Sequence, residues 1–109
     1  MGFPSQLAAL ANEFIGDKRL LSGSGYQKLP GGLIIQWGNS TTASGGVSLT
    51  FPIVFPTNCL QVVVALRSGS VSPVTVSANT PTSPGVGVYT SNTSGVGVTA
   101  NFSWIAIGY

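Results

Sequence analysis

From Tyr26 onward the pattern of apolar and polar residues reads as strands and turns. Val47-Ser48-Leu49-Thr50-Phe51 alternates cleanly, while near the end Phe102, Trp104 and Ala106 fall on one strand face and Ile105, Ile107 and Tyr109 on the other. Apolar runs bounded by Gly, Pro, Asn and Ser predict further strands at residues 33–37, 59–66 and 74–78. The first is expected to stop at Gly38, ahead of a polar loop over residues 39–46. Pro52 and Pro56 bracket a second apolar piece at residues 53–55, and polar loops are expected at residues 67–72 and 79–84. Gly85-Val86-Gly87-Val88 recurs as Gly95-Val96-Gly97-Val98, which predicts a hairpin whose glycines admit close backbone approach.

The first 25 residues follow a different period. Leu7, Leu10, Phe14 and Ile15 lie on one face of a helix, which Pro4 and Ser5 suit at its start and Gly16 at its end. Ser22-Gly23-Ser24-Gly25 reads as a flexible linker. The chain is therefore expected to divide into a helix and linker over residues 1–25 and an all-β domain over residues 26–109. The basic residues follow the apolar stretch instead of preceding it, the reverse of a signal peptide.

The strand faces carry the next inference. A strand with one face in water should be polar on that face. Residues 59–66 are not: Leu60, Val62, Val64 and Leu66 share one face, and Cys59, Val63 and Ala65 the other, with Gln61 the polar exception. The last strand repeats this two-sided pattern. A chain of 109 residues with one short helix has nothing left to cover a second sheet face, so identical chains are expected to cover it.

Composition excludes most chemistry. There is no histidine, Glu13 and Asp17 are the only acids, and the four cations are Lys18, Arg19, Lys28 and Arg67. The usual general base, catalytic triads, carboxylate metal cages and most transition-metal sites are absent, so no enzyme, cofactor or metal is expected. Glu13 and Asp17 are read as a solvated helix end, since both lie ahead of the Gly-Ser segment. Four cations are too few for a nucleic-acid footprint. The single cysteine, Cys59, sits in an apolar strand and is expected to be a buried thiol.

At this point the residues resemble a family. The segment from Gly25-Tyr26-Gln27-Lys28-Leu29-Pro30-Gly31-Gly32 to Leu33-Ile34-Ile35-Gln36-Trp37-Gly38 resembles the opening of the C-terminal domain of phage tail fibres. Phe51-Pro52-Ile53-Val54-Phe55-Pro56-Thr57-Asn58-Cys59-Leu60 resembles its middle, and Asn101-Phe102-Ser103-Trp104-Ile105-Ala106-Ile107-Gly108-Tyr109 its terminal strand. That ending is also similar to H-type lectin domains. The resemblance covers residues 25–109. It implies a small antiparallel β-sandwich forming an intertwined homotrimer behind a short helix or stalk, at the tip of a fibre of a phage, prophage or R-type bacteriocin. It further implies attachment to a bacterial host through lipopolysaccharide or another surface polysaccharide, with the rest of the fibre as partner. The particle would be assembled in the host cytoplasm. A purely structural trimerisation cap is the alternative. A trimeric outer-membrane β-barrel anchor is a third reading, which the two-sided apolar strands and the prolines at 52, 56, 73, 81 and 84 oppose.

A glycan receptor needs aromatic faces, amides, hydroxyls or a guanidinium in loops. Arg67, with Ser68 and Ser70 beside it, is a candidate reader of a phosphate or carboxylate. Tyr89 and Asn92 form a second candidate, a stacking ring plus an amide at a turn. Trp37 and Trp104 are expected in the core because of Ile35, Phe102 and Ala106 nearby. The glycosylation-type triplets at Asn39, Asn92 and Asn101 are expected by chance in so Asn-, Ser- and Thr-rich a chain.

Overall fold

The computed structural model describes residues 19–67 and 73–109, together with Leu7, which is exposed and helical. The rest of the expected N-terminal helix, and Ser68 and Ser70, lie outside the described residues. Eight strands follow in order: β1 (Arg19–Leu20), β2 (Gly25–Lys28), β3 (Ile34–Thr41), β4 (Gly46–Thr50), β5 (Cys59–Leu66), β6 (Val74–Ala78), β7 (Gly85–Asn92) and β8 (Asn101–Gly108). They form a five-stranded sheet, β1-β2-β3-β8-β5, and a three-stranded sheet, β4-β7-β6. Every pairing is antiparallel.

The two sheets face each other across one core. β3 contributes Ile34, β8 contributes Phe102, Trp104 and Ala106, and β7 contributes Val86 and Val88. The segment between β4 and β5 is not a strand. It inserts Phe51 and Phe55 edge to face at 5.2 Å, with Phe51 also 5.5 Å from the Trp104 ring. Such ring contacts add about 0.5–1.5 kcal/mol beyond the area they bury.

Several expectations are corrected. β3 does not stop at Gly38 but continues to Thr41, pairing Asn39, Ser40 and Thr41 with Ser103, Phe102 and Asn101. A Cβ on Gly38 would stand 2.8 Å from both Cζ2 and Nε1 of Trp104, so this glycine makes room for an indole. The second Gly-Val repeat is not a full hairpin arm. β7 is paired on one side with β4 and on the other with β6, so residues 95–98 find no free ladder beyond the Ser91–Gly97 bridge. The Ser22–Gly25 stretch is not a free tether either. It turns a small hairpin in which Arg19 and Leu20 pair with Gln27 and Tyr26. A bulge between Cys59 and Gln61 resets the alternation of β5. Cys59 therefore turns into the core with Val62 and Val64 packed alongside, while Leu60 faces out.

Trp37 is the remaining correction. Trp104 is core, only 3% exposed, but Trp37 lies on the outer face of the five-stranded sheet, opposite Ile105 in register. Its indole N–H donates to the Ser22 carbonyl at 2.9 Å. β3 is continuous through Gly38, so alternation puts Ile34 and Gln36 inward and Ile35 and Trp37 outward.

Two buried polar clamps fix the connections. The Gln36 amide donates to the Ile53 carbonyl at 2.9 Å and accepts from the Ile53 N–H at 3.0 Å, tying the Phe51–Phe55 segment to β3. The Thr42 and Thr90 hydroxyls lie 2.6 Å apart, Thr90 donates to the Val98 carbonyl at 2.6 Å, and Thr42 accepts from the Ala100 N–H at 3.0 Å. Gln36→Leu leaves two peptide groups of Ile53 without partners. At about 1–3 kcal/mol for a buried unsatisfied group, it is expected to cost about 3 kcal/mol in urea unfolding. A loss below about 0.5 kcal/mol, the size of an ordinary surface substitution, would show that the clamp does not hold the segment.

Burial pushes the Cys59 thiol above its ordinary value. The folded chain thus holds that proton more tightly than the unfolded chain. The resulting stability is present below the ordinary thiol value of about 8.5 and is lost as pH rises through the raised one. Urea midpoints measured from pH 7 to pH 10 are expected to fall more steeply for the parent protein than for Cys59→Ala; parallel curves would contradict this.

Candidate functional site

Strand register sorts the loops into two ends. The end of β3, the start of β4, the end of β5, the end of β7 and the start of β8 lie together. Arg67, Tyr89 and Asn92 therefore belong to one end of the sandwich. Arg67 and Tyr89 are on different sheets, however, so the structure does not merge them into one site.

Arg67 follows β5 directly, and its backbone N–H donates to the Asn101 carbonyl at 2.9 Å. It lines an open depression of about 380 Å³ with Asn39, Ser40, Thr41 and Asn101. The Thr41 hydroxyl donates to Asn101 Oδ1 at 2.6 Å, and the Ser103 hydroxyl donates to Asn39 Oδ1 at 3.0 Å. Both amides thus use their oxygens within the sheet and keep their Nδ2 groups for an outside acceptor. No carboxylate side chain lies among the described residues, so none of them pairs with the guanidinium. Asn39 and Asn101 were legible in sequence only as chance sequon matches. Their role here depends on β3 running past Gly38, which aligns them with β8.

Tyr89 lies on the outer face of the three-stranded sheet and is 49% exposed. Its ring runs along the sheet instead of standing out from it. A Cβ on Gly46 would be 3.5 and 3.6 Å from Cδ1 and Cε1 of the ring, and one on Gly87 would be 2.9 Å from its hydroxyl. The glycines of β7 and β4 therefore floor the ring. The amide beside it is Asn79, whose Nδ2 is 3.5 Å from the Tyr89 hydroxyl and whose Oδ1 accepts from the Gly87 N–H at 2.9 Å. Asn92 has a different task. Its Oδ1 accepts from the Ser94 and Val96 N–H groups at 2.9 and 3.1 Å, closing its own turn. Asn79 opens a second depression of about 280 Å³, with Ser48, Thr50, Thr80 and Thr82 on its walls.

The outer face of the five-stranded sheet is apolar at the other end. Register brings Trp37, Ile105 and Val63 side by side, flanked by Ile35 and Ile107. Val63 is 66% exposed and Ile105 51%. An apolar cluster of this kind on a sheet face is the mark of an interaction surface.

Comparison with known proteins places this geometry in a lineage. Uncharacterized protein MJ0347 of Methanocaldococcus jannaschii is 37% identical over 102 residues, covering 84% of this chain and 67% of that protein. Among solved structures, the N-truncated R1-type pyocin tail fibre matches with a TM-score of 0.70 at 27% identity, over 100% of both chains. A longer C-terminal fragment of the P. aeruginosa R1 pyocin fibre matches with a TM-score of 0.69 at 27% identity, over 84% of this chain; this chain spans 27% of that fragment. The P. aeruginosa R2 pyocin fibre, 24% identical, shares the fold with a TM-score of 0.71 over 100% of this chain and 30% of its own. The family described as putative tail fiber protein gp53-like, C-terminal, matches residues 28–109. The chain, an all-β sandwich of the kind found at the C-terminus of pyocin fibres, belongs to that gp53-like tail fibre family.

Proposed function

We propose that this domain is the attachment tip of a phage or phage-tail-like fibre, that it works as a homotrimer, and that it binds a bacterial surface polysaccharide without turning it over. The observation that carries the reading is the Tyr89 ring, held along a glycine floor with its face exposed beside the Asn79 amide. A ring fixed in this way loses little conformational freedom when a sugar's C–H face packs on it, and the amide beside it serves the sugar's hydroxyls. Arg67 and the Nδ2 groups of Asn39 and Asn101 supply donors for a phosphate or carboxylate on the same polymer. The particle is assembled in the bacterial cytoplasm and acts outside the cell.

Trimerisation rests on the face around Trp37, Val63 and Ile105, where Val63 and Ile105 are left exposed. At about 25 cal/mol per Å² of apolar surface, covering it with two further copies is strongly favourable, and a threefold arrangement gives each chain the same neighbours. Light scattering is expected to give three times 11.1 kDa for the parent chain and a smaller species for Ile105→Asp. A monomeric parent would remove the trimer from the reading.

Attachment is tested by binding of fluorescently labelled protein to a panel of bacterial strains and their purified lipopolysaccharides. Tyr89→Ala is expected to weaken binding at least tenfold, and Arg67→Ala to weaken binding to polymers that carry anionic groups. If both variants stay trimeric and bind like a binding parent, the receptor site lies away from Tyr89 and Arg67; if the parent itself binds no strain and no lipopolysaccharide, the domain is a structural cap for its fibre and not a receptor reader.

A further inference from the structure

Strand register puts the Arg67 depression on the same sheet face as the apolar cluster. On the outer face of the five-stranded sheet, Trp37, Ile105 and Val63 share one level. Alternation brings Asn39, Ser103 and Ala65 to that face at the next level, and Thr41 and Asn101 at the one beyond. Arg67 stands beside Asn101 there, since its backbone N–H donates to the Asn101 carbonyl at 2.9 Å. The face is therefore apolar at the levels of Ile35 and Trp37, lined by the small Ala65 and Ser103 at the next, and cationic at its end.

The chemistry of that end is one-sided. Asn39 Oδ1 accepts from the Ser103 hydroxyl at 3.0 Å and Asn101 Oδ1 from the Thr41 hydroxyl at 2.6 Å. This leaves the two Nδ2 groups and the Arg67 guanidinium for an outside partner, and all of these donate. No carboxylate side chain lies among the described residues to answer the charge. Asn39, Thr41, Asn101 and Arg67 are all exposed in the single chain, on the face that its apolar levels offer to other copies.

We propose that three copies bring their Arg67 guanidiniums around the axis of the trimer, where, with the Asn39 and Asn101 amides, they hold one oxyanion of the phosphate class. The inference rests on the trimer reading, in which the faces around Trp37, Val63 and Ile105 meet, and it adds a site that no single chain contains. A threefold axis sets equivalent residues at one height, so covering the apolar levels also draws the three Arg67 side chains toward each other. Three guanidiniums without a counter-charge repel, and an oxyanion between them replaces that repulsion with charge-assisted hydrogen bonds. A tetrahedral oxyanion presents three equivalent oxygens, which matches three identical sets of donors. Ala65 and Ser103 leave room for it between the apolar level and the arginines. The open depression of about 380 Å³ in each chain is one of its three walls.

The test uses the full chain in phosphate-free buffer at fixed ionic strength, titrated with inorganic phosphate in a calorimeter, with light scattering counting the chains in the same sample. The expected result is saturation at one phosphate per three chains, together with a phosphate-dependent rise in the urea midpoint of the trimer. Arg67→Gln is expected to stay trimeric and to weaken phosphate binding at least tenfold. Without phosphate its urea midpoint should exceed that of the parent, because the repulsion is gone; with phosphate the order should reverse. Arg67→Lys, which keeps the charge without the fork, is expected to keep the stoichiometry with weaker binding. A trimer that takes up one phosphate per chain, or none, overturns the shared site and spares the trimer. Phosphate uptake that survives Arg67→Gln does the same. A monomeric parent removes the trimer and the site with it, while attachment to cells is decided separately by the strain panel. Adding phosphate to the panel assay separates the two sources of the oxyanion, both of which fit the site. Cell binding that falls assigns it to the host polymer, and cell binding that holds assigns it to a free ion of the fibre.

Discussion

The architecture depends on β8 being paired along both edges. β3 and β5 flank it, so its eight residues must serve two surfaces at once. Phe102, Trp104, Ala106 and Gly108 turn toward the three-stranded sheet and are all buried. Ser103, Ile105 and Ile107 turn the other way and set the character of the outer face. One strand thus joins the packing of the core to the surface offered to partners. A change of register by a single residue would exchange the two sets and leave neither surface usable.

The sandwich is thin for the size of its aromatic side chains, and small residues make the fit. The Trp104 ring crosses β3 only where Gly38 lacks a side chain, and the Tyr89 ring lies down only over Gly46 and Gly87. Polar clamps then fix what apolar packing leaves undetermined. Gln36 holds the Phe51–Phe55 segment through both peptide groups of Ile53. Thr42 and Thr90 draw the chain after β3 and the approach to β8 into one buried network. Such fully partnered networks cost little when complete and select one arrangement of the loops. The Thr42–Thr90 contacts hold the end of β3, the end of β7 and the approach to β8 together at the end of the domain where Arg67 lies.

Placed in a tail fibre, the domain divides its surface by chemistry. The apolar part of the five-stranded sheet suits other copies of the chain. The Arg67 and Asn79 depressions are rich in hydrogen-bonding groups, with Arg67 the single described cation on their walls.

The sequence by itself determined a good deal. Alternation located β4 and the core face of β8, because a strand with one buried face must repeat its apolar residues every second position, while apolar runs between turn residues located β5 and β6. The absence of histidine and the scarcity of acids are legible without any coordinates, and the proposal of a binding module starts from them. Gly25 to Gly38 and the final nine residues carried the family resemblance. Tertiary structure decided the rest, because partners distant in sequence override local signals. Gly38 reads as a stop but is a gap for the Trp104 indole; Trp37 reads as core but faces outward once β3 continues. Asn79 replaced Asn92 beside Tyr89 because Asn92 spends its oxygen on its own turn. The cleft lined by Ser24, Asn39, Ser48 and Trp104 has no sequence signature: its walls come from four separate segments that only the meeting of β3 with the free edge of β4 brings together.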